Sequence, residues 1–243
     1  MLFYVLTIFS VAIFELSSSE KFESSLTSCK RNSDDYNVCL KQAIQTDWPQ
    51  IVKGYPEFGL PSLDPLLYFR NAKIVYNNDK LHAEVNFSNF TCFGLSKSHF
   101  NNLRTHFLPN NIFRLEIDLQ ISKLLADTLL KINGSLSIFR IIGEGYMNAT
   151  LSDIKVTCIL KGRVINDTFL GEYYHVIPTL GAAKIYFNLF QDKQLNDFIL
   201  SFVNEYWPML YRETWPLMSN VLDSLLTDFA NKVFSKLSFS QIF

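Results

Sequence analysis

The chain has 243 residues, of which 48% are hydrophobic and 22 are phenylalanine; that length admits one large domain or two small ones, and the rings suit a large core or the wall of a cavity. Twenty-two basic against 23 acidic residues leave a formal net charge of -1. With no Arg/Lys stripe interleaved with aromatics, this balance argues against a nucleic-acid surface.

In chain order, an apolar run over residues 2–14, followed by small polar residues, reads as a signal peptide cleaved near Ser19, although it lacks a basic start. An anchor helix is the competing reading, but the run is shorter than the roughly 20 residues a bilayer needs and ends at Glu15. No later segment reads as a membrane span, so residues 20–243 are expected to form a single domain. Cys29 and Cys39 flank a polar segment and, in an oxidising compartment, can close a short loop against the start of a helix. That helix is predicted over residues 35–54, with Asp34 or Asp35 as N-cap and Val38, Ile44, Trp48 and Ile51 near one face. Pro49 breaks or tightens its last turn and Gly54 stops it. The next stretch, GYPEFGLPSLDPL over residues 54–66, is too apolar for an ordinary surface loop and too rich in proline and glycine for a helix or central strand.

The apolar spacing then changes to two. Leu81, Ala83, Val85 and Phe87 alternate with polar residues, as do Phe113, Leu115, Ile117, Leu119 and Ile121, which predicts strands covered on one face. Met147, Ala149 and Leu151 form another such set, but Ile154, Val156, Cys158 and Leu160 take the opposite parity, so a bulge or bend is expected near Ser152 and Asp153. A last strand places Ala183, Ile185, Phe187 and Leu189 on one side. Five N-glycosylation patterns, at Asn86, Asn89, Asn133, Asn148 and Asn166, agree with a secretory route.

From Asp192 onward the apolar recurrence is helical, running from Leu195 through Phe202, Tyr206, Trp207 and Trp215 to Val233. A helix over residues 192–230 would be about 58 Å long, bent or interrupted at Pro208 and Pro216. An apolar face of that length needs an extended partner, and a strongly curved sheet wrapped around it would serve.

Chemistry has few footholds. His82, His99, His106 and His175 do not have zinc-ligand spacing; IIGEG lacks the Lys-Ser/Thr of a phosphate loop; FGLSKS is not a hydrolase nucleophile elbow. The expectation is therefore a protein that is not an enzyme, with no catalytic residue, metal or cofactor. A lipid esterase is the weakest reading.

Cys29-x9-Cys39-Leu40 and IVKGYPEFGLPSLDPL, together with NGSLSIFRIIGEGYMNATLSDIKV and KIYFNLFQDKQLNDFILSFVNEYWPMLYRETWP, resemble the insect Takeout and juvenile-hormone-binding protein family, on its Takeout-like branch. The likeness extends from about Cys29 to Phe243. It implies an α+β fold of the TULIP-like super-roll type, a long carboxy-terminal helix wrapped by a highly curved antiparallel sheet with an apolar tunnel. It also implies secretion and the binding and transport of a small lipophilic ligand such as juvenile hormone or a fatty acid. Leader, spacing and family motif together favour a Cys29–Cys39 disulfide. Cys92 and Cys158 are candidates for a second bridge, with a buried free thiol the competing reading. Trp48, Phe58, Leu60, Tyr173, Phe202, Tyr206, Trp207 and Trp215 are the candidate tunnel residues, each of which also reads as packing. A secreted recognition protein acting through a protein receptor is the alternative function.

Overall fold

In the computed structural model the described residues are 29–56, 61–68, 72–77, 81–136 and 138–243. The proposed leader, Phe58 and Leu60 therefore lie outside them.

Helix α1 (Tyr36–Ile51) starts at Asp35, carries Pro49 within its last turn and is followed by Gly54 at φ 78°, a left-handed conformation that a glycine accepts without strain. Cys29 and Cys39 are disulfide-bonded across its start, with Cα atoms 5.7 Å apart. Its inward face differs from the expected one: Tyr36, Leu40 and Ala43 are buried, whereas Val38 is 59% exposed. The i, i+4, i+7 spacing explains the rotation, since Val38 lies nearly opposite Leu40 around the helix.

Strands β1 (Leu66–Tyr68), β2 (Ala72–Asn77), β3 (Leu81–Phe93), β4 (His99–Leu108), β5 (Ile112–Leu136), β6 (Phe139–Ile165), β7 (Thr168–Thr179) and β8 (Ala182–Asn188) form one antiparallel sheet. Its spine is the β5–β6 hairpin, whose 25- and 27-residue strands run about 80 Å at 3.3 Å per residue. Each spine strand changes its outer partner partway along. β5 pairs first with β4 and then with β3, while β6 pairs first with β8 and then with β7. The sheet thus has two halves, one bounded by β4 and β7, the other by β1, β2 and β8.

The expected bend lies at this junction. Asp153 takes φ 52° and, with Ser122 opposite, drops out of the ladder, while the pairs on either side, Ile121–Ile154 and Lys123–Ser152, keep one register. No residue is inserted; both strands exchange their inward parity together. Ile121 and Ile154 point in on one side of the bend, and Thr128 and Leu130 on the other. A second irregularity, between Ser88 and Thr91, puts Asn89 at φ 51°.

Helix α2 (Lys193–Phe234) is 42 residues long, about 63 Å at 1.5 Å per residue. Asp192 caps it, accepting from the Gln194 and Leu195 N–H groups at 2.8 and 3.0 Å. The bend anticipated from the prolines appears at Tyr206, whose φ/ψ of -103°/15° leaves the helical region just ahead of Pro208, because the proline ring crowds the preceding turn. α2 touches β7, β8 and also β2. Since β2 and β8 lie on opposite flanks of the spine, the sheet must curl around the helix to bring both to it.

A seam of side-chain hydrogen bonds fixes α2 to the free edges of β8 and β7. Asn196 accepts from Leu189 N–H at 3.0 Å and donates to the Phe187 carbonyl at 3.2 Å. Asn204 accepts from Ile185 N–H at 2.8 Å and donates to the carbonyl of the same residue at 2.7 Å. Asn231 does the same for Gly171, at 2.7 and 2.9 Å. Thr227 accepts from Tyr174 N–H at 3.0 Å, and the Tyr211 hydroxyl donates to the Pro178 carbonyl at 2.8 Å. An asparagine amide carries one donor and one acceptor in the arrangement of a peptide group, so it can stand in for the missing neighbour strand and satisfy both groups of an edge residue.

Packing is concentrated at two places. One cluster joins Leu40, Leu103, Phe113, Phe169 and Ala230 to helix α3 (Phe239–Ile242) and Phe243; Phe113 lies within 6 Å, centroid to centroid, of Phe107, Phe169, Phe239 and Phe243. Asp167 tethers α3, accepting from Ser240 N–H at 2.8 Å and from the Ser238 and Ser240 hydroxyls. The other cluster joins Leu130, Phe187 and Leu189 to Val85, Phe87, Ile132, Met147, Ile199 and Val203.

Candidate functional site

Between the two clusters, the inner face of the sheet meets the middle of α2. Ile121, Ile154 and Cys158 are buried here, whereas Leu119, Val156 and Val176 on the sheet and Trp207, Leu210, Trp215, Met218, Leu222 and Leu225 on the helix are half-buried. None of them belongs to either packed cluster. A core side chain is ordinarily fully enclosed by close-packed neighbours, whereas this run of large apolar groups is enclosed on some sides only. Ser219 supplies a buried hydroxyl, already donated to the Pro216 carbonyl at 3.1 Å.

The candidate tunnel residues separate accordingly. Trp207 and Trp215 fall in this middle portion, and Trp215 lies 5.6 Å from Tyr211, ring to ring. Sequence reasoning missed Tyr211; its position one turn before Trp215 was the available signal. Burial raises the Tyr211 hydroxyl above its ordinary range, keeping it a neutral donor. Trp48 lies elsewhere: its indole N–H donates to the Leu95 carbonyl at 2.8 Å and its ring meets Phe100 edge-on at 5.1 Å, fixing α1 to the 3-10 turn at Leu95–Lys97. Tyr173 is exposed and stacks on His175 at 5.5 Å. Phe202 and Tyr206 are also exposed and touch one another at 4.9 Å.

The proline-rich stretch has an anchor that composition did not single out. Asp64 accepts from Gly94 N–H at 3.1 Å and Ser96 N–H at 2.7 Å, so its carboxylate binds the end of this segment to the 3-10 turn. Burial pushes this carboxyl up, but hydrogen bonds from Ser96 and Gly94 and the charge of Lys97 outweigh it, and the net displacement is below the ordinary carboxylate range. Gly145, within the IIGEG stretch, also has a structural reason: a Cβ there would lie 1.9 Å from the Asn188 carbonyl oxygen.

Cys92 and Cys158 are both buried free thiols, so the competing reading holds and the candidate second bridge is absent. The register gives the reason. Cys92 pairs with Ala126 and Cys158 with Ile117, nine residues apart on β5, or about 30 Å along a strand, far beyond disulfide reach. Burial pushes both thiols up to about 11, assisted at Cys92 by the charge of Asp64. The Tyr174 hydroxyl, beside Cys158, is raised well above its ordinary range, chiefly by burial.

Beside the second cluster, a cleft of about 430 Å³ opens between β6 and the start of α2, with Ile142, Glu144, Phe190, Asp192 and Leu195 among its walls. Among the described residues no group of three or more His, Cys, Asp or Glu side chains could hold a metal ion. No described helix is long and apolar enough to cross a membrane.

Comparison with known proteins bears on this architecture. The crystal structure of Epiphyas postvittana Takeout 1 superposes with a TM-score of 0.68 at 20% sequence identity, covering 85% of this chain and 95% of that one. It has the same TULIP fold. A lipopolysaccharide binding protein structure matches at a TM-score of 0.33 and 9% identity, over 68% of this chain and 33% of that one, too remote a likeness to bear on the fold. No curated protein matches the sequence. The family profile described as haemolymph juvenile hormone binding protein (JHBP) matches residues 4–243. The chain belongs to that family.

Proposed function

We propose that the chain is a secreted carrier of a small lipophilic molecule, such as juvenile hormone or a fatty acid, held between the middle of α2 and the inner face of the sheet. On this reading residues 1–19 are a leader and residues 20–243 one lipid-binding domain. The observation that carries it is the set of half-buried apolar groups around Trp207 and Trp215, lying between two packed clusters and belonging to neither. A ligand lying against them would remove apolar surface from water at about 25 cal/mol per Å², and a tryptophan N–H or a tyrosine hydroxyl could orient its polar end. Family membership and the fold shared with a Takeout protein support the same reading.

The test is native mass spectrometry of secreted, deglycosylated protein, followed by denaturing extraction and small-molecule identification. The same protein is then incubated with a juvenile-hormone and fatty-acid panel. A stoichiometric lipophilic adduct is expected, together with its loss in a folded Trp207→Ala variant. Protein that stays folded and empty across the panel overturns the carrier reading in favour of recognition through a protein partner.

A further inference from the structure

The outer faces of the two halves differ in what accompanies their exposed apolar residues. On the β4–β7 half an ion-paired network, in which Arg104 meets Glu116 at 2.9 Å and Asp118 at 3.0 Å, Arg114 meets Glu116 at 2.6 Å, and Thr157 donates to Asp118 at 2.8 Å, lies beside the exposed Leu170, Tyr173 and Ile177 of β7. On the other half, each of three successive rows of the register places two large apolar residues outward among polar ones. Leu67, Thr91, Asp127, Asn148 and Tyr186 form one row; Phe93, Leu125, Thr150 and Lys184 flank it on one side, and Ser88, Leu129, Tyr146 and Asn188 on the other. Leu67, Phe93, Leu125, Leu129, Tyr146 and Tyr186 are each 39–52% exposed. These six side chains, gathered in three adjacent rows among polar ones, would lose exposed apolar area to anything that covers them.

The same face carries three of the five glycosylation patterns. Asn148 stands at the centre of the patch, opposite Tyr186 on β8 and two residues after Tyr146 on the same side of β6. Asn86 and Asn133 project from this face in the rows just beyond, beside the Lys73–Glu84 and Lys131–Glu144 ion pairs. The outer face of the other half has no such pattern on its strands; Asn166 lies in the β6–β7 turn. The Tyr146 hydroxyl donates to Asp127, which fixes that ring beside Asn148.

We propose that the apolar outer face of the β8 half is covered by N-linked glycan, with Asn148 the central attachment site and the Tyr146 and Tyr186 rings the platform for its first sugar. A pyranose presents an apolar C–H face, which an exposed aromatic ring can cover while the sugar hydroxyls stay in water. In the modification, the Asn148 Nδ2 forms a bond to the anomeric carbon of an oligosaccharide carried on a lipid diphosphate. The bond from that carbon to the diphosphate oxygen breaks, the diphosphate leaves with the electron pair, and the amide gives up one proton. The inference rests on the secretory part of the function proposed above.

The experiment expresses the full chain in a secretory eukaryotic host and maps site occupancy by glycopeptide mass spectrometry. Wild type is compared with Asn148→Gln, Thr150→Ala and, as a control, Asn166→Gln, reading binding of an apolar-surface dye and self-association by sedimentation velocity. Asn148 is expected to be occupied. Its two pattern-destroying variants are expected to behave alike, with a several-fold rise in dye fluorescence and a shift to larger species, whereas Asn166→Gln stays at the wild-type level. Trimming the glycans to a single sugar should retain the protection, and Tyr186→Ser should abolish it in the trimmed protein. Occupancy at Asn166 with Asn148 empty overturns this inference alone, as does an occupied Asn148 whose loss changes neither readout. A chain retained in the cytoplasm without any glycan overturns the secretory reading as well.

Discussion

Replacing Asn231 by alanine tests whether the side-chain seam, rather than apolar packing alone, holds α2 to the sheet. Asn231 satisfies both the N–H and the carbonyl of Gly171, a buried edge residue of β7, at 2.7 and 2.9 Å. The alanine variant leaves two buried backbone groups without partners. Each such group costs about 1–3 kcal/mol, so the two together cost about 2–6 kcal/mol, and partial hydration at the edge keeps the sum in the lower half, about 2–4 kcal/mol. For a chain of this size each kcal/mol moves Tm by about 2–4 °C, so a drop of about 4–16 °C is expected. Asn231→Asp keeps the acceptor and loses the donor, and should fall between wild type and alanine. Asn220, exposed on the same helix, is the control, and Asn220→Ala should stay within about 0.5 kcal/mol of wild type. Thermal unfolding followed by circular dichroism reads all three. Equal melting temperatures for Asn231→Ala and Asn220→Ala would refute the seam as a stabilising element.

Three other perturbations follow from the geometry. Asp64→Asn weakens the bonds to Gly94 and Ser96 N–H and should cost about 1–2 kcal/mol at neutral pH. Because the Asp64 carboxyl lies lower in the folded chain than in the unfolded one, its contribution is complete above the unfolded value, about 3.9, and disappears as pH falls through the lower folded value. The gap between wild type and Asp64→Asn should therefore close in acid, and a constant gap down to the acid transition would contradict the assignment. Cys92 and Cys158, both pushed up to about 11 and buried, should resist an aromatic disulfide reagent at pH 8 and react only on unfolding; rapid labelling of folded protein would count against their placement. Phe113→Ala removes the ring on which four other phenylalanines converge and should cost about 3–5 kcal/mol by denaturant titration. A loss below 1 kcal/mol would mean that the first cluster is not a cooperative core.

Local chemistry made much of this protein legible without coordinates. Period-two alternation marked β3, β5, β6 and β8 because one face of each is covered. The opposite parities around Ser152 and Asp153 located the bend, since a strand cannot change its inward face without one. Asp192 marked the start of α2 and Pro208 its bend, whereas Pro216 leaves the helical dihedrals undisturbed, and the cysteine spacing with the family motif gave the Cys29–Cys39 disulfide. Other features depend on which distant segments meet, and no local rule contains that. Nothing local singles out Asn196, Asn204 and Asn231 in the sequence; they become a seam only because the edges of β7 and β8 lie beside them with unpaired peptide groups. Cys92 and Cys158 looked bridgeable until the register placed β5 between them and set their partners nine residues apart. Trp48 and Trp207 are alike in type and helical setting, yet Leu95 takes the indole N–H of one while the curl of the sheet leaves the other half-buried between two packed clusters. Periodicity and capping are set by neighbours within a few residues, so the sequence by itself determined α1, α2 and the strands β3, β5, β6 and β8; the remaining strands, the seam, the thiols and the half-enclosed apolar surface are set by contacts across the sheet, and only the tertiary structure decided them.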